Sequence, residues 1–286
     1  MVSPRRPNRP ARSPSARIAT SADAESLDLP GAQQQLVDAV LDTGTPTVLT
    51  LLAGRPYALG RAVDESAAIV QAFFAGEEGA PAVAGVLSGR VNPSGRLPVS
   101  IPAGAGSQPT TYLAAPLARA SDVSNVDPTA AFPFGHGLGY ADFEWDAFEG
   151  DATEIDTDGT VTLRLRVRNA GSRSGADVVQ LYLHDPVASV VRPVQRLIGY
   201  ARVELEPGEA AEVSFAVHAD LASFTGRDGR RIVEPGELVL SAGRSSADLP
   251  FAHTVRLTGD VRELVHTRRL QPGVAIVAVV EASVVD

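Results

Sequence analysis

In the second half of the chain, hydrophobic residues recur at every second position. Between residues 161 and 167, Val and Leu alternate with Thr and Arg, as expected for a strand with one buried face. Similar runs recur near residues 179–183, 197–205, 212–218 and 237–242. Pro-Gly pairs at 207–208 and 235–236 lie between these runs and favour turns. The pattern predicts an antiparallel β-sandwich of about seven strands.

The first half of the chain alternates between helical and strand periods. Hydrophobic residues at 36, 37, 40 and 41 follow a helical spacing, with Asp28 as the predicted cap and Gly44 as the predicted end. The apolar runs 47–52 and 68–74 predict buried parallel strands, and residues 79–87 predict a second helix. This order favours an α/β layer with a parallel sheet. The predicted fold class is therefore α/β followed by all-β.

Both ends of the chain differ from these patterns. Residues 1–21 are rich in Pro and Arg, with little that could be buried, and predict a disordered basic tail. Such a tail could bind anions, although a purely solvated tail is the simpler interpretation. Residues 274–285 are rich in Val and Ala. They fit either a last strand or a frayed end.

The composition of the 286 residues excludes several classes of function. A net charge of -9 disfavours nucleic-acid binding, and the absence of Cys excludes disulfides and thiol chemistry. The five His are scattered without metal-ligand spacing, so we expect neither a metal nor a cofactor. No apolar run reaches the ~18–20 residues of a membrane helix, and no signal peptide is evident, so we expect a cytoplasmic chain without a membrane partner.

Two motifs contain the candidate substrate-binding residues Glu77 and His136. The stretch GEEG at 76–79 opens a predicted helix, whose N-terminus could hold an anion. Its carboxylates would repel phosphate, so helix capping is the favoured alternative. The stretch FPFGHGLGY at 132–140 combines aromatic residues with glycines. It could contact a sugar through His136, or it could anchor the linker between two domains, which is the favoured interpretation.

A third motif, NPSGRLP at 92–98, indicates a turn that leads into a short extended stretch. Its charged residue, Arg96, has two equally plausible environments. It could pair with a carboxylate across a domain contact, or it could face water.

Taken in order, these motifs resemble the C-terminal half of family 3 glycoside hydrolases of the β-glucosidase and β-xylosidase type. The resemblance begins with DAESLDLPGAQ at 23–33 and continues through LAGRP at 52–56 and the three motifs above. It then follows a fibronectin type III-like domain through five stretches: RNAG at 168–171, DVVQLYL at 177–183, DPVAS at 185–189, RPVQRLIGY at 192–200 and EPG at 234–236. It implies an incomplete α/β sandwich domain over 22–142, a fibronectin type III-like domain over 143–258 and a tail over 259–286.

The resemblance also implies where the chemistry of such enzymes lies. They are retaining hydrolases that use two carboxylates, and their Asp nucleophile lies on a (β/α)₈ barrel that precedes everything matched here. In many members the acid/base Glu lies a few residues before the position of Asp23, but residues 19–22 are ATSA. Glu25 falls at a position that the pattern does not require. We therefore predict no catalytic residue in this chain, which would be a fragment inactive on β-glycosides by itself.

Two other functions are compatible with the sequence. The chain could be a non-catalytic module that binds carbohydrate or protein, since a fibronectin-type fold does not fix a function. It could also be a subunit that completes a separately encoded barrel. In that case, the surface that meets the barrel would expose apolar residues.

Overall fold

A computed structural model describes residues 24–104, 111–118, 120, 122 and 127–279. The predicted basic tail, the stretch 19–22 and residues 280–285 lie outside this part of the chain. The structure divides into two compact units. The first comprises the described residues up to Gly79 together with Gly104, and the second comprises the remainder from Ala80 onward. Among the described residues, no helix is both long and apolar enough to span a bilayer.

The first unit contains two helices and two strands: α1 (Gln33–Leu41), β1 (Val48–Leu51), α2 (Ala62–Glu65) and β2 (Ala68–Gln71). The strands β1 and β2 pair in parallel, with Val48 opposite Ala68, which confirms the predicted direction. The prediction that both strands are buried is wrong. Only Leu51 is buried, and Val48 is 47% exposed. The described sheet has only these two strands, so each strand has a neighbouring strand along one edge only.

Helix α1 ends as predicted but begins differently. Gly44 adopts a φ of 68° and donates its N–H to the Leu41 carbonyl oxygen, so it ends the helix in the left-handed conformation that glycine favours. Asp28 does not cap the helix, because the N-cap position is held by Ala32 without a side-chain hydrogen bond. Asp28 instead accepts a hydrogen bond from the Ser26 hydroxyl at 2.7 Å.

In chain order, a helix and two short strands precede the β-sandwich. Helix α3 (Gly79–Leu87), predicted from the sequence, leads into this unit. The short strands β3 (Ile101–Pro102) and β4 (Ala130–Phe132) then pair in antiparallel fashion. Two short 3₁₀ helices are described in this unit, at Pro116–Ala118 and at Ala219–Ala222.

The β-sandwich contains twelve strands in the described part of the chain: β5 (Phe143–Gly150), β6 (Glu154–Asp156), β7 (Thr160–Asn169), β8 (Gly175–His184), β9 (Arg196–Leu205), β10 (Ala210–His218), β11 (Phe224–Thr225), β12 (Arg231–Val233), β13 (Gly236–Gly243), β14 (Phe251–Thr258), β15 (Arg262–Glu263) and β16 (Gly273–Val279). One sheet has the order β16-β10-β7-β5, the second β6-β14-β13-β8-β9, and a small third sheet β11-β12-β15. Only β6 and β14 pair in parallel here.

The core of the sandwich follows the alternation in the sequence. Odd-numbered residues of β7 from 161 to 167 are buried and even-numbered ones are half-buried, as predicted. They pack with residues such as Leu181, Phe215 and Leu240 in one hydrophobic cluster. Up to Val279, the C-terminal tail forms a last strand rather than a frayed end, because β16 pairs with β10 at the edge of the sheet.

The fold class is therefore confirmed in its coarser form. Most regular structure is strand, most strand pairs are antiparallel, and the second unit is a β-sandwich. In the described first half of the chain, β1 and β2 form the parallel strand pair, and Asp28 and Ala58 add one isolated parallel bridge. The predicted α/β layer is thus represented by one parallel pair and short helices rather than by a covered parallel sheet.

Candidate functional site

The two predicted substrate-binding residues lie in different units. Glu77 lies in the first unit, in the turn before α3, where it is exposed. Within the described residues its carboxylate accepts no hydrogen bond, so neither helix capping nor a preformed binding site is visible for it. His136 lies in the second unit, on the loop 132–140.

Backbone hydrogen bonds hold this loop against the segment that contains Arg96. Leu97 donates its N–H to the His136 carbonyl oxygen at 2.9 Å, and Gly135 donates to the Leu97 carbonyl oxygen at 2.8 Å. Phe134 donates its N–H to the Ser100 hydroxyl at 3.1 Å. Backbone hydrogen bonds thus join the motif at 92–98 to the motif at 132–140, and they fix the backbone of His136.

Gly135 is required at its position by a buried glutamine of β8. Its φ is 82°, and a Cβ added there would lie 2.1 Å from Gln180 Oε1. The Gln180 amide donates to the carbonyl oxygens of Gly135 at 2.9 Å and Arg244 at 2.6 Å, and accepts from the Tyr182 hydroxyl at 2.7 Å. The loop therefore docks on the sandwich through a fully bonded buried amide.

Aromatic stacking adds to this attachment. The ring of Phe134 stacks on Tyr112 with centroids 4.1 Å apart, and Tyr112 meets Tyr182 edge-on at 6.2 Å. Stacked and edge-on pairs of this kind stabilise packing beyond their buried area. These contacts favour the anchoring interpretation of the loop.

His136 is nevertheless placed where its ring could meet a ligand. The ring is half-buried and stacks on Phe132 at 5.3 Å. Burial and the nearby Arg96 lower the pKa of His136 below its ordinary value, and Asp248 only partly opposes this. The side chain makes no hydrogen bond within the described residues. A neutral imidazole offers one donor and one acceptor, which suits a sugar hydroxyl.

Arg96 occupies the first of its two predicted environments. Its Nη2 donates to Asp177 Oδ1 at 2.6 Å, and the two side chains are 12% and 4% exposed. The Trp145 indole donates to Asp177 Oδ2 at 2.9 Å, and the Arg244 guanidinium lies 4.4 Å above that indole. A buried carboxylate with a paired cation and an indole donor joins the segment 92–98 to the sandwich.

A cluster of Asp158, His218 and Asp220 has the composition of a metal site. The Arg262 guanidinium already pairs with both of its carboxylates. Arg262 Nη2 donates to Asp220 Oδ1 at 2.5 Å, and the Asp220 N–H donates to His218 Nδ1 at 3.1 Å. Because a guanidinium occupies the cationic position, the cluster does not fit a metal ion.

The sequence did not reveal Asp177, Gln180 and Arg244, which fix the loop and its neighbour. A signal was present for two of them. Asp177 and Gln180 interrupt the apolar run of β8, and a polar residue inside a buried strand requires partners. The two carbonyl partners of Gln180 lie 45 and 64 residues away, and Arg96 lies 81 residues from Asp177, so the sequence could not identify them.

Comparison with known proteins gives these features a context. Residues 11–140 match the glycosyl hydrolase family 3 C-terminal domain, and residues 177–246 match the fibronectin type III-like domain. A β-xylosidase of Formosa agariphila is 38% identical over 227 residues, which cover 78% of this chain and 31% of that protein. The periplasmic β-glucosidase of Salmonella typhimurium is 35% identical over 232 residues, covering 78% of this chain and 30% of that protein.

Solved structures agree with the sequence matches. A β-glucosidase from Erythrobacter marinus superposes with a TM-score of 0.77 at 38% identity, covering 82% of this chain and 31% of that one. A β-glucosidase from Listeria innocua in complex with glucose gives 0.76 at 30% identity, covering 82% and 34%. The chain thus spans about a third of the length of these relatives. It belongs to glycoside hydrolase family 3, from which it carries the C-terminal domain and the fibronectin type III-like domain.

Proposed function

We propose that this chain is the accessory C-terminal portion of a β-glucosidase- or β-xylosidase-type hydrolase, and that the hydrolytic carboxylates come from polypeptide outside it. The similarity to enzymes of both names, over about a third of their length, supports this proposal. In this view the α/β segment and the sandwich support and complete a barrel that carries the nucleophile.

The observation that carries the proposal is the state of the carboxylates in the described residues. A retaining glycosidase needs two carboxyl groups about 5–5.5 Å apart, one to attack and one to donate a proton. Glu25, the acidic residue next to the predicted acid/base position, is exposed and accepts no hydrogen bond among the described residues. It is therefore not held in the apolar pocket that is typical of a general acid.

Asp158 and Asp220 do come close together, with ligand atoms within 4.8 Å. They are still unsuitable as a catalytic pair. Burial disfavours the charged form of Asp220, but hydrogen bonds from the Arg269 N–H and Arg262 outweigh it, so the pKa of Asp220 lies below its ordinary value. The Asp220 side chain is 6% exposed, so a sugar does not reach it, and as an ionised carboxylate it has no proton to donate near neutral pH.

An assay of the purified chain with aryl β-glucosides and aryl β-xylosides tests this proposal. We expect no turnover, either from the chain or from its Glu25→Gln and Asp158→Asn variants. Turnover that Glu25→Gln abolishes would show that the chain holds its own acid/base residue, and the proposal would be wrong.

We further propose that His136 contacts the substrate in the completed enzyme through its neutral imidazole. The test adds the portion of a related β-glucosidase that this chain does not match, and compares His136→Ala with His266→Ala, an exposed control. We expect the first variant to raise KM and the second to leave it unchanged. Equal KM values in both variants would leave the loop as an anchor only.

A separately encoded barrel as partner is the second candidate, and one observation favours it. In the first unit, Leu36 is 66% exposed, Leu52 67% and Phe74 58%. Large apolar side chains at this exposure are typical of a surface that another polypeptide covers. Co-purification of a barrel protein with the tagged chain from its native cell would support this form of the proposal, and recovery of the chain without a barrel would contradict it.

A further inference from the structure

The sandwich unit contains a cavity of about 190 Å³ whose nine lining residues include three arginines. It forms where the end of β8, the loop before β9, and the strands β11 and β12 meet. Its polar and charged lining residues are Asp185, Arg192, Arg196, Ser223, Thr225 and Arg231. We call it the arginine cavity.

The positive charges of the arginine cavity are only partly balanced. Arg192 pairs with Asp185 at 2.8 Å, and both side chains are about nine-tenths buried. Arg196 and Arg231 form no ion pair within the described residues. Arg231 donates to the Ser223 hydroxyl at 3.1 Å and the Ser223 carbonyl oxygen at 2.8 Å, and Arg196 donates to the Leu221 carbonyl oxygen. Three guanidinium groups therefore face one carboxylate.

This imbalance does not arise from a shortage of acidic residues. The chain has 34 Asp and Glu against 25 basic residues, all of them Arg. Several arginines elsewhere in the described residues pair with carboxylates, among them Arg61, Arg96, Arg202, Arg230 and Arg262. Others, such as Arg90 and Arg173, donate to carbonyl oxygens without an ion pair. Arg196 and Arg231 differ from these in that two half-buried cations without an ion pair line the same cavity.

The guanidinium groups also keep unused donors. Arg196 Nε is buried and has no hydrogen-bond partner among the described residues. Neutral oxygens and the Asp185 carboxylate fix the planes of all three groups but engage only some of their N–H groups. Burial, followed by repulsion from Arg192 and Arg231, lowers the pKa of Arg196. Burial also lowers the pKa of Arg192, although the attraction of Asp185 partly opposes this effect. A bound anion would relieve both the missing hydrogen bonds and the repulsion.

We propose that the arginine cavity binds one small free oxyanion of the phosphate type, held by Arg196 and Arg231 with Arg192 as the supporting cation. Guanidinium groups with fixed planes suit such an anion, because their paired N–H donors match two oxygens at once. The cavity is smaller than the roughly 300–1,000 Å³ of pockets for drug-sized ligands, so it suits a single such group. This inference is independent of the proposed hydrolase function.

Calorimetric titration of the purified chain with inorganic phosphate, at an ionic strength held constant with NaCl, tests the proposal. We expect saturable binding of one phosphate per chain. Arg196→Gln and Arg231→Gln should each weaken that binding by at least about tenfold. The matched control is Arg230→Gln, because Arg230 neighbours Arg231 but is exposed and pairs with Asp228 and Glu263 outside the cavity. It should leave the affinity unchanged.

A second variant keeps the test decisive if the arginine variants fail to fold. Thr225 lines the cavity and is exposed, so Thr225→Asp would place a carboxylate at the cavity without removing a core contact. We expect this variant to fold and to compete with phosphate, again by at least about tenfold. Thr254→Asp, at an exposed strand position outside the cavity lining, is its control.

Two results would overturn the proposal. One is the absence of saturable phosphate binding to the unmodified chain. The other is an equal loss of affinity in Arg230→Gln and Arg231→Gln, or in Thr254→Asp and Thr225→Asp, which would indicate a general charge effect rather than a site.

Discussion

The parallel strand pair of the first unit and the β-sandwich of the second unit bury their side chains to very different extents. In β1 and β2 only Leu51 is buried, whereas every second residue of β7 is buried, and Leu163 is 0% exposed. A sheet is stabilised when one of its faces is covered. The sandwich therefore provides its own core, whereas the first unit leaves large apolar side chains such as Leu36, Leu52 and Phe74 exposed.

The largest effect in this comparison should come from emptying the sandwich core. Phe215 is 1% exposed, and Phe215→Ala should lower the free energy of unfolding by about 3–5 kcal/mol. Leu36→Ala removes an exposed side chain of the first unit and should change it by less than about 0.5 kcal/mol. Urea denaturation of both variants measures the difference. Similar losses would mean that the first unit is as well packed as the second.

The buried ion pair between the segment 92–98 and the sandwich gives the next largest effect. Asp177→Ala leaves Arg96 buried without its carboxylate, which should cost about 3 kcal/mol. This cost is at the low end for breaking a buried ion pair, because Arg244, the second cation beside Asp177, is 39% exposed. The control Glu204→Ala breaks the exposed pair with Arg202 and should cost at most about 1 kcal/mol. Equal losses in chemical denaturation would contradict the assignment of a buried pair.

A pair of glycines isolates the contact between the loop and Gln180. Gly135 and Gly208 have nearly the same φ, 82° and 83°, but only the first faces a neighbouring atom. Both alanine variants should pay about 1 kcal/mol for the left-handed conformation, and Gly135→Ala about 1–3 kcal/mol more for displacing Gln180. Thermal or urea unfolding measures the difference, and equal values would indicate that the loop does not dock tightly.

The smallest effect is the titration of His136. Burial and Arg96 lower its pKa, so its midpoint in an NMR titration should fall below the ordinary value of about 6.5. The unfolded chain then binds the proton more readily than the folded chain. The stability linked to this group should therefore be complete above about pH 6.5 and decline as the pH falls. A midpoint above 6.5 would show that the ring is solvated or paired with Asp248.

The sequence predicted those features that depend on local pattern. Alternation over residues 161–167 located β7 and its buried face, and Gly44 located the end of α1, because period and backbone conformation are local properties. The burial of β1 could not be predicted, since an apolar run shows that a strand could be covered but not whether a neighbour covers it.

The environment of the candidate site was less predictable. For Arg96, solvent and an ion pair remained equally open, because its partner Asp177 lies 81 residues away. Asp28 fitted the residue preference of a cap, but its side chain bonds locally with Ser26 instead. The arginine cavity was not predicted, since Arg192 and Arg196 meet Arg231, 35 residues further along the chain, only in the folded sandwich.

Hydrogen exchange of the intact chain, measured alone and after addition of the portion of a related β-glucosidase that it does not match, tests most directly whether the first unit is completed by other polypeptide. We predict that the β1 and β2 amides exchange rapidly in the isolated chain and become protected on addition, whereas β7 and β10 are protected in both states. Strong protection of β1 and β2 in the isolated chain, unchanged on addition, would contradict this account.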